Sequence, residues 1–245
     1  MTRDTGKDVE RQKAGGNPSP TASPRAEIDA FLQKAQTLAA ARPAGHGRLI
    51  FALDATMSRQ PTWDIACALQ ADMFREAAAI GTLDIQLVYF RGFGECRASR
   101  WVSDGQALAS LMGRIDCRGG HTQIGKVLAH ARRENEQQRI QALVYVGDAM
   151  EESLDDLCAA AGELGLLGVP AFVFQEGDDP VAARAFGEVA RLSGGAYCRF
   201  TPGSAKELAD LLRAVAAYAA GGRKAMQALL QSSGGAAAKL LAQLR

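Results

Sequence analysis

Two short runs constrain the fold of this chain more than any other feature. Arg48–Leu53 (RLIFAL) and Ile140–Val146 (IQALVYV) are apolar at nearly every position, and each is soon followed by an aspartate, Asp54 and Asp148. A strand with one wet face alternates apolar and polar side chains, whereas a continuous apolar run of this length is a strand covered on both faces. Covered strands need helices above and below the sheet, and the intervening sequence supplies them. Ile65, Leu69, Met73 and Ile80 recur at helical spacing after Pro61, which is suited to a first turn. So do Ile124, Val127, Leu128 and Ala131; Leu154, Leu157, Ala161 and Leu164; Ala182, Ala185, Phe186 and Val189; and Leu208, Leu211, Leu212 and Val215. A shorter helix is expected at about 105–113, and Asp179-Pro180 reads as a cap followed by a first-turn proline. Four further strands fall at Ile85–Phe90, Cys96–Val102, Pro170–Gln175 and Ala196–Phe200. The first two of these are separated only by Arg91-Gly92-Phe93-Gly94-Glu95, long enough for a hairpin and too short for a crossover. The predicted architecture is α/β: a doubly wound, mostly parallel six-stranded sheet with one antiparallel edge strand and helices on both faces.

Four segments follow from the same reading. Residues 1–25 mix charges with Gly15, Gly16, Pro18, Pro20 and Pro24 and have almost no large apolar side chains, which predicts disorder. Residues 26–47 comprise an amphipathic helix (Ile28, Phe31, Leu32, Ala35, Leu38) and a linker holding Pro43 and His46. The α/β domain takes 48–220. Residues 221–245 form an Ala-rich tail with two short helices expected on either side of Gly234-Gly235. Packing on the domain, pairing with the N-terminal helix and docking on a partner are all open to that tail.

Composition removes several function classes. Lys plus Arg is 28 against 27 for Asp plus Glu, a net charge of +1, and no basic face stands out, so a nucleic-acid partner is not expected. The basic run Ala131-Arg132-Arg133 is followed at once by Glu134 and Glu136 and reads as a solvated helix end. The five cysteines include no CxxC pair and form neither a zinc motif nor an even disulfide set, so reduced thiols and a cytoplasmic location are expected. Met1–Pro24 has no apolar stretch to serve as a signal sequence, and no window approaches the roughly 20 apolar residues that cross a bilayer. Trp63 and Trp101 read as core or hairpin packing. Gly92-Phe93-Gly94 reads as a tight turn, since it lacks the third glycine and the following helix of a dinucleotide loop.

Three places carry chemistry, each just past the C-terminal end of a strand or at the entry to a helix, where open sheets gather functional side chains. They are Asp54-Ala55-Thr56-Met57-Ser58, the loop Gly119-Gly120-His121-Thr122, and Gly147-Asp148-Ala149-Met150-Glu151. Together they offer two carboxylates and three hydroxyls. That inventory suits a hard divalent cation such as Mg²⁺ or Mn²⁺, because the carboxylates balance its charge and the hydroxyls add oxygen ligands without repulsion. Taken singly, each of the five is also an ordinary cap or turn residue.

The order Asp54-x-Thr56-x-Ser58, then Thr122 before a helix, then Asp148 after a central strand resembles the metal-ion-dependent adhesion site of von Willebrand factor type A domains. The resemblance runs from 48 to about 218 and implies a Rossmann-like fold of that family, of the bacterial intracellular type. It implies Asp54, Thr56, Ser58, Thr122 and Asp148 as ligands of Mg²⁺ or Mn²⁺, and a protein partner whose Asp or Glu completes the coordination. It further implies a non-enzymatic role beside ATP-driven, chaperone-like or metal-inserting complexes. The chain departs from the family pattern in three ways. Thr56 replaces a Ser, His121 stands where glycine is common, and Glu151 and Glu152 lie near enough to reach the metal or compete for it. A second reading is a metal-assisted phosphatase or phosphoryl-transfer enzyme with Asp54 as nucleophile; it asks for a second Asp two positions on, where Thr56 stands. The oligomeric state is open.

Overall fold

The computed structural model describes residues 47–60, 63, 83–200, 205–233 and 242–244. The helices expected over residues 28–38 and 65–80, the N-terminal segment, Cys67 and Gly234-Gly235 lie outside these. Six strands form one sheet: β1 (Gly47–Asp54), β2 (Leu83–Arg91), β3 (Glu95–Val102), β4 (Ala142–Gly147), β5 (Ala171–Glu176) and β6 (Ala196–Phe200). Their order is β3-β2-β1-β4-β5-β6, and every pairing is parallel except β2 with β3. The expected sheet and its antiparallel edge strand are thus observed, and the edge strand is β3.

The sheet is covered on both sides. Alternate residues of one face (Leu49, Phe51, Leu53, Val144, Val146, Phe172, Phe174) pack with α1 (Gly105–Met112) and α5 (Ala205–Ser233). The other face (Ile50, Ala52, Val88, Leu143, Tyr145, Val173) meets α2 (Ile124–Gln137), α3 (Leu154–Leu166) and α4 (Pro180–Ser193). This is why Leu49–Leu53 and Ala142–Val146 are apolar throughout: each side chain, up or down, enters a core, and burying one Leu, Ile or Phe contributes roughly 1.5–3 kcal/mol. β3 carries a polar pattern instead, with Arg97, Ala98 and Arg100 exposed, as suits a strand with solvent beyond it.

Local sequence sets the helix ends. Asp104 accepts from the backbone N–H groups of Gln106 and Ala107 at the start of α1, and Asp179 accepts from Ala182 N–H at α4, whose first position is Pro180. Helix α5 runs past the expected stop and bends at Gly222, whose φ of 68° is open to glycine at little cost. Beyond the bend Met226 is buried in the core, as is Leu244, and Gln243 exchanges hydrogen bonds with the backbone of Tyr197 on β6. The described parts of the tail therefore pack on the domain. Trp63 is a core residue, and Trp101 lies under the Arg48 guanidinium at 3.8 Å with its indole N–H donated to Glu134. The four described cysteines are free thiols. Among the described residues, no helix is long and apolar enough to cross a membrane.

Candidate metal centre

Strands β1 and β4 are parallel neighbours in the middle of the sheet, with Leu53 opposite Val146. From β1 the chain turns toward β2 and β3, and from β4 toward β5 and β6. The connections therefore part company above the C-terminal ends of these two strands, leaving a crevice at the point where strand order reverses. Asp54 closes β1 on one side of it, and Asp148 follows β4 on the other.

The segment after β1 is held on both flanks. Ala55 N–H donates to Phe90 O at 3.0 Å, and Ala55 O accepts from Arg118 N–H at 3.0 Å, while Thr56 makes a single bridge with Arg118. Within it, Asp54 Oδ1 accepts from Thr56 N–H at 2.7 Å, and the Thr56 and Ser58 hydroxyls lie 3.1 Å apart. Asp54 is fully buried and Thr56 nearly so, whereas Ser58 is exposed; the site thus opens to solvent at Ser58 and Met57.

The remaining carboxylate oxygens are the unusual feature. Asp54 Oδ2 and Asp148 Oδ1 are both buried and have no hydrogen-bond partner among the described residues, and the Tyr145 hydroxyl is in the same condition. Leaving such an oxygen unsatisfied costs about 1–3 kcal/mol, more when it is charged. Burial raises the Asp54 pKa to about 6, against the downward pull of its bonds from Thr56; the charge of Asp148 adds to the rise and that of Arg59 opposes it. Burial likewise holds the Tyr145 phenol well above its ordinary value, with Asp54 and Asp148 pushing the same way. Two carboxylates, each with a buried oxygen left open, beside the Thr56 hydroxyl, fit a hard divalent cation.

Thr122 comes from the glycine loop before α2. Its N–H donates to Glu151 Oε2 at 3.1 Å, and its hydroxyl accepts from Glu151 N–H at 3.1 Å, so the loop after β4 is tied to the loop before α2. That loop also packs on the hairpin tip. His121 N–H donates to Gly92 O, and a Cβ on Gly120 would lie 2.1 Å from the same oxygen, so only glycine fits at 120. The His121 ring meets Glu151 Oε2 through Nδ1 at 3.0 Å and stands edge-on to Phe93 with centroids 5.2 Å apart. Glu152 turns the other way. Its carboxylate accepts from the N–H groups of Ile124 and Gly125, capping α2, which has no side-chain cap of its own. Both acidic residues flagged near the site are therefore engaged with the Thr122 segment.

Sequence reasoning singled out neither Arg59 nor Glu176. Arg59, directly after Ser58, is 1% exposed and forms a buried ion pair with Glu176 at the end of β5. Its guanidinium also interacts electrostatically with Asp148 and Asp54. A single Arg in a polar turn has the look of a solvated charge, and no periodicity marks it. Its one sequence signal is contiguity with the Asp54–Ser58 motif.

No family model matches the chain, and no curated protein does. Solved structures do match. A von Willebrand factor type A protein from Catenulispora acidiphila superimposes with a TM-score of 0.58 at 18% identity, covering 72% of this chain and 43% of its own. The VWA domain of SpRpn10 gives 0.54 at 15% identity, covering 69% and 94%. Proximal thread matrix protein 1 from the mussel byssus, with zinc occupying its MIDAS motif, gives 0.58 at 17% identity, covering 78% and 52%. The chain thus spans less than half the length of the first of these. It has the von Willebrand factor type A fold.

Proposed function

We propose that this chain, built on the von Willebrand factor A fold, is a metal-dependent protein-interaction module rather than an enzyme. In this reading Asp54, Thr56, Ser58, Thr122 and Asp148 hold Mg²⁺ or Mn²⁺, and an Asp or Glu of a partner protein completes the coordination. The observation that carries it is the pair of buried, partnerless carboxylate oxygens, Asp54 Oδ2 and Asp148 Oδ1, at the switch point of the sheet. Bound there, a divalent cation would offset both charges and offer a Lewis-acidic position to an incoming carboxylate. The mussel byssus protein, with zinc in its MIDAS motif, supports the same use of this fold.

The surroundings suit docking of a protein. Met57 is 55% and Phe93 83% exposed, large apolar side chains in the segments that border Ser58 and His121. Such groups are anchors for a partner surface. They flank a site whose own loops are rigidly bonded, so little ordering cost falls on this side of the complex. We place the module, residues 48–220 with flanking segments on either side, in a cytoplasmic assembly of chaperone-like or ATPase-associated type. Free thiols in all four described cysteines accord with a reducing compartment. Phosphoryl transfer from Asp54 is disfavoured because Thr56 stands where that chemistry places a second carboxylate.

Calorimetric titration with Mg²⁺ and Mn²⁺ tests the site. The wild type is expected to bind, and Asp54→Ala/Asp148→Ala to give no heat. Capture of a partner should then disappear on chelation and in Asp148→Ala, and should weaken in Phe93→Ala, which keeps its metal affinity. Metal binding that survives the double substitution would refute the assignment of these ligands.

A further inference from the structure

We propose that Arg59 is a built-in counter-cation of the metal centre, which offsets the Asp54 and Asp148 carboxylates when no metal is bound and holds metal affinity down. The inference rests on the metal-binding reading of those two residues. Its basis is the placing of four charged groups across three neighbouring strand ends. Gly147, the last residue of β4, lies opposite Gln175 on β5; Asp148 follows the first and Glu176 the second. Asp54 ends β1 on the other flank of β4. Arg59 leaves the short turn after β1 and pairs with Glu176, its side chain fully enclosed and within electrostatic reach of Asp148 and Asp54.

A guanidinium enclosed like this is costly to desolvate and persists only where negative charge surrounds it. Here that charge comes from Glu176 on one flank and from Asp54 and Asp148 on the other. Glu176 acts as the tether that fixes the position of the guanidinium. A cation entering between Asp54 and Asp148 then meets carboxylates already partly offset and a fixed positive charge close by. Affinity for the free metal is lowered, and a partner carboxylate arriving with the metal regains much of the loss, because it is drawn to the same positive field. The site is thereby biased to load as a ternary complex of chain, metal and partner.

Titration of the full chain with Mn²⁺ decides the matter. Arg59→Met/Glu176→Gln removes one charge of each sign, leaves the net charge unchanged and replaces a buried pair, a change that folds tolerate well. It is expected to bind Mn²⁺ at least tenfold more tightly than the wild type. Glu176→Gln alone frees the guanidinium from its tether and removes a negative charge, so it should bind at least threefold more weakly. In chelator the double variant should unfold at a lower temperature than the wild type, with Mn²⁺ raising its Tm by more. Wild-type affinity in the double variant, or a Glu176→Gln affinity at or above wild type, overturns the counter-cation role while leaving the metal site intact. No binding of Mn²⁺ by any of the three proteins overturns the metal site and this role with it.

Discussion

Asp54 ties the pH behaviour of the candidate site to burial. Its carboxyl sits at about 6 in the fold against an ordinary 3.8, because burial penalises the charged form more than the Thr56 bonds support it. A raised folded-state pKa means that the folded protein holds the proton more tightly than the unfolded chain does. The associated stability is complete below pH 4 and is lost as pH rises through 6. The shift corresponds to about 3 kcal/mol. In chelator, Asp54 should therefore contribute a rise in Tm as the pH falls from 7.5 to 5, and that contribution should be missing in Asp54→Asn, where the opposing effect of His130, held below its ordinary value by burial, remains. Saturating Mg²⁺ or Mn²⁺ should flatten the same curve, since a bound cation favours the ionised form. A Tm profile in chelator that is the same for the wild type and Asp54→Asn would contradict the stated environment of Asp54. Arg59 shows why such environments escape a linear reading: whether it is a solvated charge or an enclosed one depends on Glu176, far along the chain.

Helix α2 illustrates the element scale. Ile124, Val127, Leu128 and Ala131 mark its buried stripe in the sequence, and all four are buried in the fold. Its N-terminal cap had no sequence mark, because the residue in that position is Gln123, which makes no side-chain cap bond. The cap is Glu152, delivered by the loop after β4, and it places a carboxylate against two free N–H groups at the positive end of the helix. Glu152→Ala should cost roughly 1–2 kcal/mol, read as a lowered midpoint in urea. Because the same loop is joined to Thr122 through Glu151, the substitution should also weaken metal binding by loosening Thr122. A midpoint unchanged within error would show that water replaces the carboxylate at no cost. The strands were the most legible elements, since a period-two or continuous apolar pattern depends only on neighbours; their observed ends differ from the expected ones by a residue or two. Helix α5 was less so. Its length and its bend at Gly222, ahead of the expected break at Gly234-Gly235, follow from which residues reach the core beyond the bend.

At the scale of the whole molecule, residues 242–244 pack on the domain. Leu244 is buried among residues of the α5 face, Arg223 donates to its backbone carbonyl at 2.8 Å, and Gln243 binds the exposed side of β6. Leu244→Ala should therefore cost about 2 kcal/mol, the lower end for truncating a buried Leu. It should leave metal titration unchanged, because the site lies at the ends of β1 and β4. Loss of metal binding in that variant would mean the tail and the site are coupled through the sheet. By itself the sequence determined the α/β class, the six strands, the hairpin and the order of five oxygen-bearing residues, because each is written in neighbouring positions: apolar periodicity, turn glycines, a motif of alternate residues. The tertiary structure alone decided that Asp54 and Asp148 flank one crevice with unpartnered oxygens, that Glu152 caps α2, and that Arg59 reaches Glu176. Those facts depend on strand order and register, which bring distant residues into a desolvated space where charge must find a partner, and no local pattern encodes that requirement.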